Sequence, residues 1–184
     1  MNAVPTLDTE RLTLRGWRDG DLDGLAHMMA DPAVTRFLGG NLSRSNCWRI
    51  MATFVGHWAL RGFGFWVVER KSDRAFLGRV GLWRPEGWPG TELGWALDQP
   101  FWGQGYATEA CQAALDYSFA TYHLAKLISL IEPEHRSSHR LAERLGMARG
   151  GAGSIMIRGS NTSFDIWEIS RERWTEGQSR LEAS

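Results

Sequence analysis

The spacing of apolar and polar positions near the start of the chain predicts a strand followed by a helix. Leucines alternate with polar residues over residues 11–17, which is the period of a strand. Asp19 or Asp21 can then cap a helix that reaches Ala30. Because proline lacks the backbone N–H that a helix interior needs, Pro32 is expected to end that helix.

A longer amphipathic helix and a group of strands are predicted next. Apolar residues recur every three or four positions over residues 43–61, and Gly62 is expected to end this helix. Three apolar runs separated by turn-forming residues predict antiparallel strands over residues 65–69, 76–83 and 91–97. The aromatic residues of this region are expected to lie mostly in the core. The predicted apolar face of the helix consists of Trp48, Met51, Phe54, Val55 and Trp58.

The pattern in the second half of the chain is typical of a βαβ crossover followed by a closing hairpin. The predicted elements are a glycine loop after Pro100, a helix over residues 107–122, a strand over residues 126–131, a helix over residues 137–145, and strands over residues 154–158 and 163–170 joined through residues 159–161. No internal repeat or linker divides the chain. The sequence therefore predicts one α+β domain over residues 1–184 with a mixed sheet.

Composition narrows the function classes. With 21 basic and 21 acidic residues among 184, the net charge is zero, so no long-range field attracts nucleic acid or an anionic membrane. No apolar run approaches the roughly 18 to 20 residues that span a bilayer, and residues 1–10 lack the pattern of a signal peptide, so a cytoplasmic protein is expected. The two cysteines, Cys47 and Cys111, fall in predicted helices and are expected to be buried small hydrophobes.

The segment LDQPFWGQGYATEA, residues 97–110, is the most informative part of the sequence. A strand ends there, two glycines follow two residues apart, and a helix begins. Backbone amides at a helix start bind phosphate oxygens, and glycine removes the Cβ that would obstruct a ligand. A tight strand-to-helix turn is the alternative explanation of such a glycine pair. The segment is neither a Walker loop nor a Rossmann fingerprint, because no Lys-Ser or Lys-Thr follows and a third glycine is missing.

The order of the motifs resembles the GCN5-related N-acetyltransferases, the GNAT superfamily. The resemblance rests on the loop P-x-x-G-x-G-Y-A, on Glu109 and Ala110 in the next helix, and on ERLGM at residues 143–147. It extends from TERLTLR to DIWEISRERW and is nearest to the branch of the ribosomal-protein alanine and serine acetyltransferases. It implies a mostly antiparallel sheet with a V-shaped split between the fourth and fifth strands, flanked by about four helices.

The resemblance also implies that acetyl-CoA binds in this split. Pantetheine would pair with the backbone of Trp95, Ala96 and Leu97 in the manner of an added strand. The pyrophosphate would bind amides of the loop and the helix start. These amides belong to Gly103, Gln104, Gly105, Tyr106, Ala107 and Thr108.

Four positions in this region bear on the chemistry that the resemblance implies. Pro100 stands where the family has Gln or Arg, and His135 stands where an Asn usually contacts pantetheine. Ala142 occupies the place of the Tyr that often protonates the leaving thiolate. Ser138 matches a serine of this branch and is the candidate to hydrogen-bond the sulfur, with a helix cap as the alternative.

Glu92, in GTELGWAL, is the candidate general base. A free α-amino group has a pKa of about 7.7 to 8.0 and a lysine amine about 10.4, so an attacking amine must lose a proton. The family commonly takes its base from this strand, and enclosure by Trp83, Trp88 and Trp95 would raise the carboxyl pKa toward the working pH. A solvated residue on the outer face of the strand is the alternative. A backbone amide of residues 95–97 would polarise the acetyl carbonyl.

The acceptor pocket is expected to be aromatic, framed by residues 37–42 and 83–90, with Trp83 and Trp88 contacting the acceptor. Trp88 has an alternative position against a neighbouring subunit, because this branch often forms dimers. His135 and His139 are four residues apart, as metal ligands on a helix often are, but no third ligand is in view and no metal is expected.

The sequence thus predicts an acetyl-CoA-dependent N-acetyltransferase that acetylates a primary amine, either a protein N-terminus or a small amine, directly in a ternary complex. A non-catalytic module of the same fold, which binds acyl-CoA or a partner, is the alternative.

Overall fold

The structure is a computed structural model that describes residues 3–157 and 160–182. Its strands are β1 (Leu7–Asp8), β2 (Leu12–Arg15), β3 (Phe65–Arg70), β4 (Phe76–Trp83), β5 (Glu92–Leu97), β6 (Lys126–Ile131), β7 (Ala148–Ile157) and β8 (Ser160–Ser170). Its α-helices are α1 (Leu22–Met28), α2 (Pro32–Thr35), α3 (Arg44–Arg61), α4 (Tyr106–Thr121), α5 (Arg136–Arg144) and α6 (Arg171–Glu182), and Asp19–Asp21 and Gln99–Phe101 are short 3₁₀ helices.

All eight strands form one sheet in the order β1-β2-β3-β4-β5-β6-β8-β7. Neighbouring strands are antiparallel except β5 and β6, which are parallel because α4 carries the chain across between them. The predicted α+β fold with a mostly antiparallel sheet is confirmed, and β4 and β6 have the predicted bounds. The split that was predicted between the fourth and fifth strands lies between β5 and β6. The strand numbers differ by one because the two-residue β1 is too short to be predicted from a periodic pattern.

Pro32 was expected to end the first helix, and this prediction is wrong. Helix α1 already ends at Met28, and Pro32 is the first residue of α2. Asp31 caps α2 by accepting a hydrogen bond from the N–H of Ala33 at 2.8 Å. Proline is favoured at a first helical position because its missing N–H would have no partner there.

Helix α3 begins after its cap, Ser43, and ends at Gly62, whose φ of 75° is the left-handed conformation that favours glycine. The predicted apolar face is wrong at two positions, since Trp48 is 51% exposed and Val55 is 49% exposed. Each lies one residue, about 100° around the helix, beyond a buried position. The buried residues of α3 are Cys47, Met51, Phe54, His57 and Trp58.

The closing hairpin is longer than predicted, and α6, which the sequence analysis did not predict, follows it. Residue 158, the last of the predicted strand over residues 154–158, and residue 159, the first of the predicted turn, lie outside the described residues. The last strand, β8, lies between β6 and β7 in the sheet. Cys47 and Cys111 are both fully buried with free thiols, as expected.

Two apolar clusters cover the sheet. The larger contains residues of α4 and α5 packed on the strands, and the smaller joins α1, α2 and α3. Leu93 and Leu97 of β5 belong to the larger cluster and Ala96 to the smaller, because successive side chains of a strand point to opposite faces. Within the described part of the chain, no helix is long and apolar enough to cross a membrane.

Candidate active site

The split forms where β5 and β6 separate. The two strands share one parallel pair, Glu92 with Ile128, next to a hydrogen bond of 3.0 Å from the N–H of Ile128 to the carbonyl of Thr91. Further along β5, the Ser129 hydroxyl donates to the carbonyl of Leu93 at 2.7 Å. This side-chain hydrogen bond takes the place of a backbone hydrogen bond between the two strands. Beyond Leu93, the paired residues give way to an open gap.

The backbone of β5 presents polar groups to this gap. Asp98 donates its N–H to the carbonyl of Leu77 on the β4 side at 2.8 Å. Because successive residues of an antiparallel strand bond to alternate sides, the peptide groups of Trp95 and Leu97 face β6, whereas those of Ala96 face β4. Of the three backbone positions predicted for pantetheine, the structure therefore brings Trp95 and Leu97 to the split and leaves Ala96 outside it.

The glycine loop connects the end of β5 to α4. Gly103 and Gly105 have φ of 73° and 83°, and Gly105 is the residue immediately before α4. The N–H groups of the first helical turn, Tyr106, Ala107 and Thr108, have no carbonyl partner within the helix, so they are free to bind an anion. No heavy atom lies within 4 Å of the place that a side chain at position 103 would occupy, so there is open space beside the loop.

Arg11 fixes this loop from the far side, and the sequence analysis did not identify it. Its guanidinium donates to the carbonyl of Gln104 at 3.0 Å and to the carboxylate of Glu109 at 2.7 Å, and it lies 4.5 Å from the centre of the Tyr106 ring. Thr9 also donates to Glu109, at 2.6 Å. TERLTLR and ATEA, two motifs of the resemblance, are therefore in direct contact.

Glu92 lies at the point where the split opens, half-buried in the wall of a cavity of about 490 Å³. Burial raises the pKa of its carboxyl group to about 7. A hydrogen bond of 2.7 Å from the Trp88 indole N–H and the positive charge of Arg79 oppose this rise. The group is therefore not a solvated residue of an outer face.

The walls of the cavity are mainly aromatic and aliphatic, and they include both segments that were expected to frame the acceptor. Trp83 and Trp88 come from the second of these segments. The polar side chains that line the cavity are few and lie on several elements: Thr53, Arg79, Glu92, Ser129, Glu132, His135, Ser138 and Thr162.

Ser138, Trp95 and His135 form a hydrogen-bonded chain on the α5 side of the cavity. The Trp95 indole N–H donates to the Ser138 hydroxyl at 3.1 Å, and this hydroxyl lies 3.2 Å from Nε2 of His135. Burial lowers the pKa of His135 to about 4, so its ring is neutral near pH 7. An indole N–H can only donate, so the Ser138 hydroxyl accepts from Trp95, while the tautomer of His135 decides which of the two groups donates in the second bond.

The two histidines with metal-ligand spacing have other partners. Nδ1 of His139 accepts a hydrogen bond from the Trp167 indole at 2.9 Å, and His135 bonds to Ser138 and stacks on Phe37 at 4.2 Å. Among residues 3–157 and 160–182, no group of three potential metal ligands comes together. Ala142, at the position of the family's tyrosine, is fully buried in the core.

Arg79 is the second residue of the site that the sequence analysis missed. It is half-buried on β4, with its guanidinium carbon 4.1 Å from the Phe65 ring centre and 5.0 Å from that of Phe54. No carboxylate of the described residues lies within 4.0 Å of it. The signal was present in FLGRVGLW, where one arginine interrupts an otherwise apolar strand.

Known proteins are similar to this chain in both sequence and fold. A family model described as an acetyltransferase (GNAT) domain matches residues 11–148. The uncharacterized protein YkkB of Bacillus subtilis is 34% identical over 155 residues, which cover 80% of this chain and 87% of YkkB. The uncharacterized N-acetyltransferase p20 of Bacillus licheniformis is 31% identical over 174 residues, or 91% of this chain and 96% of p20. A crystal structure of an acetyltransferase from Agrobacterium tumefaciens superposes with a TM-score of 0.78 and 29% identity, covering 92% of this chain and 96% of that one.

Proposed function

This chain belongs to the GNAT family of acetyltransferases, and from that premise we propose that it transfers an acetyl group from acetyl-CoA directly to a primary amine while both substrates are bound. The acceptor is a small amine or a protein N-terminus. The observation that carries the proposal is Glu92, a carboxyl group with a pKa of about 7 that lines a cavity at the opening of the split. A base with a pKa near the working pH is the most effective proton acceptor.

Acetyl-CoA, the acyl donor, fits the groups along the split. The amides of residues 103–108 would bind the pyrophosphate, and their left-handed glycines keep side chains out of its way. The peptide groups of Trp95 and Leu97 would pair with pantetheine, although the Leu97 carbonyl already accepts a hydrogen bond of 2.7 Å from the Trp102 indole. His135 also lines the cavity. It lacks the side-chain amide of the asparagine that the family usually has there, so it would contact pantetheine by packing.

In the proposed reaction the amine nitrogen attacks the thioester carbonyl carbon, a C–N bond forms and the C–S bond breaks. Glu92 accepts the proton that the amine loses. The N–H of Trp95, which points into the split, polarises the carbonyl oxygen. The thiolate leaves and takes a proton from solvent or from Glu92.

Ser138 is proposed to stabilise the leaving sulfur. Its hydroxyl already accepts from the Trp95 indole and lies 3.2 Å from Nε2 of His135, and its proton would point to the sulfur when the thiolate forms. A thiolate is already a fairly stable leaving group, with a pKa near 8.5 for the thiol, so the expected contribution of Ser138 is smaller than that of Glu92.

We also propose a homodimer, as the resemblance to the ribosomal-protein acetyltransferases implies, and the cytoplasmic location that the sequence pattern predicts. Two exposed apolar residues on the outer side of α3 are consistent with a partner subunit: Trp48 and Val55. Size-exclusion chromatography with light scattering measures this directly, and a monomer at all concentrations would contradict the dimer.

The test of the function is release of the CoA thiol from acetyl-CoA across a panel of amines and N-terminal peptides. We expect release with at least one acceptor, together with an acetylated product by mass spectrometry. The second candidate is a non-catalytic acyl-CoA-binding module, favoured by the alanine at position 142. Binding of acetyl-CoA without turnover of any amine would support that module and contradict the enzyme.

A further inference from the structure

We infer that the amine acceptor also carries a carboxylate group, which Arg79 binds while Glu92 faces the amine. This inference rests on the proposed function and names its substrate class. Burial lowers the pKa of Arg79 to about 10, so the guanidinium remains cationic at neutral pH. It lines the same cavity as Glu92, and the described residues place no carboxylate within ion-pair distance of it.

A half-buried guanidinium without a salt bridge is unusual, because removing a charge from water is costly unless a partner compensates for it. The rings of Phe54 and Phe65 contact the guanidinium and supply part of that compensation. They cannot accept its N–H hydrogen bonds as a carboxylate does. Arginine presents its donors in a planar fork that matches the two oxygens of a carboxylate.

Arg79 and Glu92 also point to the same side of the sheet. Arg79 lies opposite Ala96 on β5, and Ala96 is four residues from Glu92. Since side chains alternate between the two faces of a strand, positions separated by four share a face. The charge of Arg79 acts on the carboxyl group of Glu92, so one cavity holds a cationic group and a proton acceptor that act on a common ligand.

The rest of the cavity limits the other parts of the acceptor. Glu132, the other carboxylate in its wall, follows β6 on the opposite side of the split from β4, so it leaves Arg79 available. The remaining walls are largely apolar and include Ile50, Phe54 and Trp83. A volume of about 490 Å³ suits a ligand of amino-acid size together with the acetyl end of the donor. Amino acids with an apolar side chain or an apolar spacer fit this description.

The experiment compares acceptors that differ only in the carboxylate. Leucine, phenylalanine and 6-aminohexanoate are each assayed against the corresponding amide, with kcat/KM measured for wild type, Arg79→Gln and Arg84→Gln. The amine of an α-amino amide is less basic and loses its proton more easily, so a preference for leucine or phenylalanine cannot come from amine reactivity. Arg84→Gln is the matched control, because it removes one exposed positive charge near the cavity without touching its wall.

We expect wild type and Arg84→Gln to prefer at least one carboxylate over its amide by about tenfold or more, and we expect the preference to fall to about one in Arg79→Gln. Equal use of carboxylates and amides by wild type would overturn the inference, even if Arg79→Gln does not fold. Retention of the preference in Arg79→Gln would overturn it as well.

Calorimetry of N-acetylleucine against N-acetylleucinamide separates this inference from the proposed function. If no amine releases the thiol, the proposed function fails, and tighter binding of the acid than of the amide still supports an anion site at Arg79. Thiol release with amines that lack a carboxylate, and none with amino acids, supports the acetyltransferase and rejects the carboxylate.

Discussion

The carboxyl group of Glu92 is held where it resists ionisation, which favours proton transfer at neutral pH. Glu92→Gln keeps the shape of the side chain and its ability to accept the Trp88 hydrogen bond, but it cannot take a proton. We expect kcat to fall by roughly 10² to 10⁴ with little change in acetyl-CoA affinity. Steady-state kinetics with calorimetry checks this, and a loss below about tenfold would remove Glu92 from the mechanism.

The same substitution is expected to stabilise the fold at neutral and higher pH. The pKa of Glu92 is about 7 in the folded state, against 4.5 for the ordinary group. Its contribution to stability is therefore greatest below pH 4.5 and is lost as the pH rises through 7. We expect Glu92→Gln to raise the free energy of unfolding at pH 8 by about 1–2 kcal/mol and to change it little at pH 4. Urea denaturation at both pH values measures this, and a stability difference that does not depend on pH would contradict it.

Trp88 acts on Glu92 through a hydrogen bond and on the cavity through its ring. Trp88→Phe keeps an aromatic ring but removes the indole N–H, which favours the ionised carboxylate, so we expect the acidic limb of the pH–activity profile to move to higher pH. Trp88→Ala removes the ring as well, and we expect the acceptor KM to rise several-fold while the acetyl-CoA constant stays within about twofold. Normal acceptor kinetics combined with a shift to monomer in size exclusion would instead place Trp88 at a subunit interface.

The start of α4 is an element whose backbone, rather than its side chains, is proposed to bind the donor. Thr108→Glu adds an acidic residue to the first helical turn, which is favourable for the helix but repels a diphosphate. We expect acetyl-CoA affinity to fall about tenfold or more, and we expect Thr108→Gln, of the same size, to keep it. Gly105→Val is less informative, because a φ of 83° strains valine. Equal effects of Glu and Gln at position 108 would argue against phosphate binding there.

Most elements could be predicted from the sequence because their periodicity survives in the fold. Helix α3 and strands β4 and β6 carry regular patterns and clear end signals, and their order carries the family resemblance. Helix α6 and strand β1 were missed because one is strongly polar and the other has two residues. Pro32 was misread because proline both ends one helix and begins another.

Some residues of the candidate site could be predicted from the sequence, and others could not. Glu92 and the glycine loop are contiguous motifs, so local reasoning reached them. Arg79 and Arg11 act through residues that are distant in the chain, on β5 and α4 respectively. Strand pairing brings Arg79 to β5, and the packing of α4 on the sheet brings Glu109 to Arg11. The peptide direction at Ala96 depends on the register with β4, which no single segment encodes.

For the molecule as a whole, donor binding is expected to raise thermal stability. The β5 backbone and the α4 amides come together only in the folded chain, so acetyl-CoA should bind the native state alone. At a concentration of about 100 times the dissociation constant, mass action then adds about 2.7 kcal/mol to the free energy of unfolding. Differential scanning fluorimetry measures the shift, and an unchanged melting temperature together with no heat of binding at saturating acetyl-CoA would contradict the site.

The position of β8 between β6 and β7 has a consequence for synthesis on the ribosome. Strands β2 to β5 each pair with the strand that precedes them in the chain, so that part of the sheet can assemble as it is translated. One edge of β6 waits for β8, and these paired residues are up to about 44 positions apart, from Lys126 to Ser170. Until then, β6 presents an unpaired edge on which nascent chains can associate. β6, the second strand of the split, is therefore the strand whose pairing is completed last during synthesis.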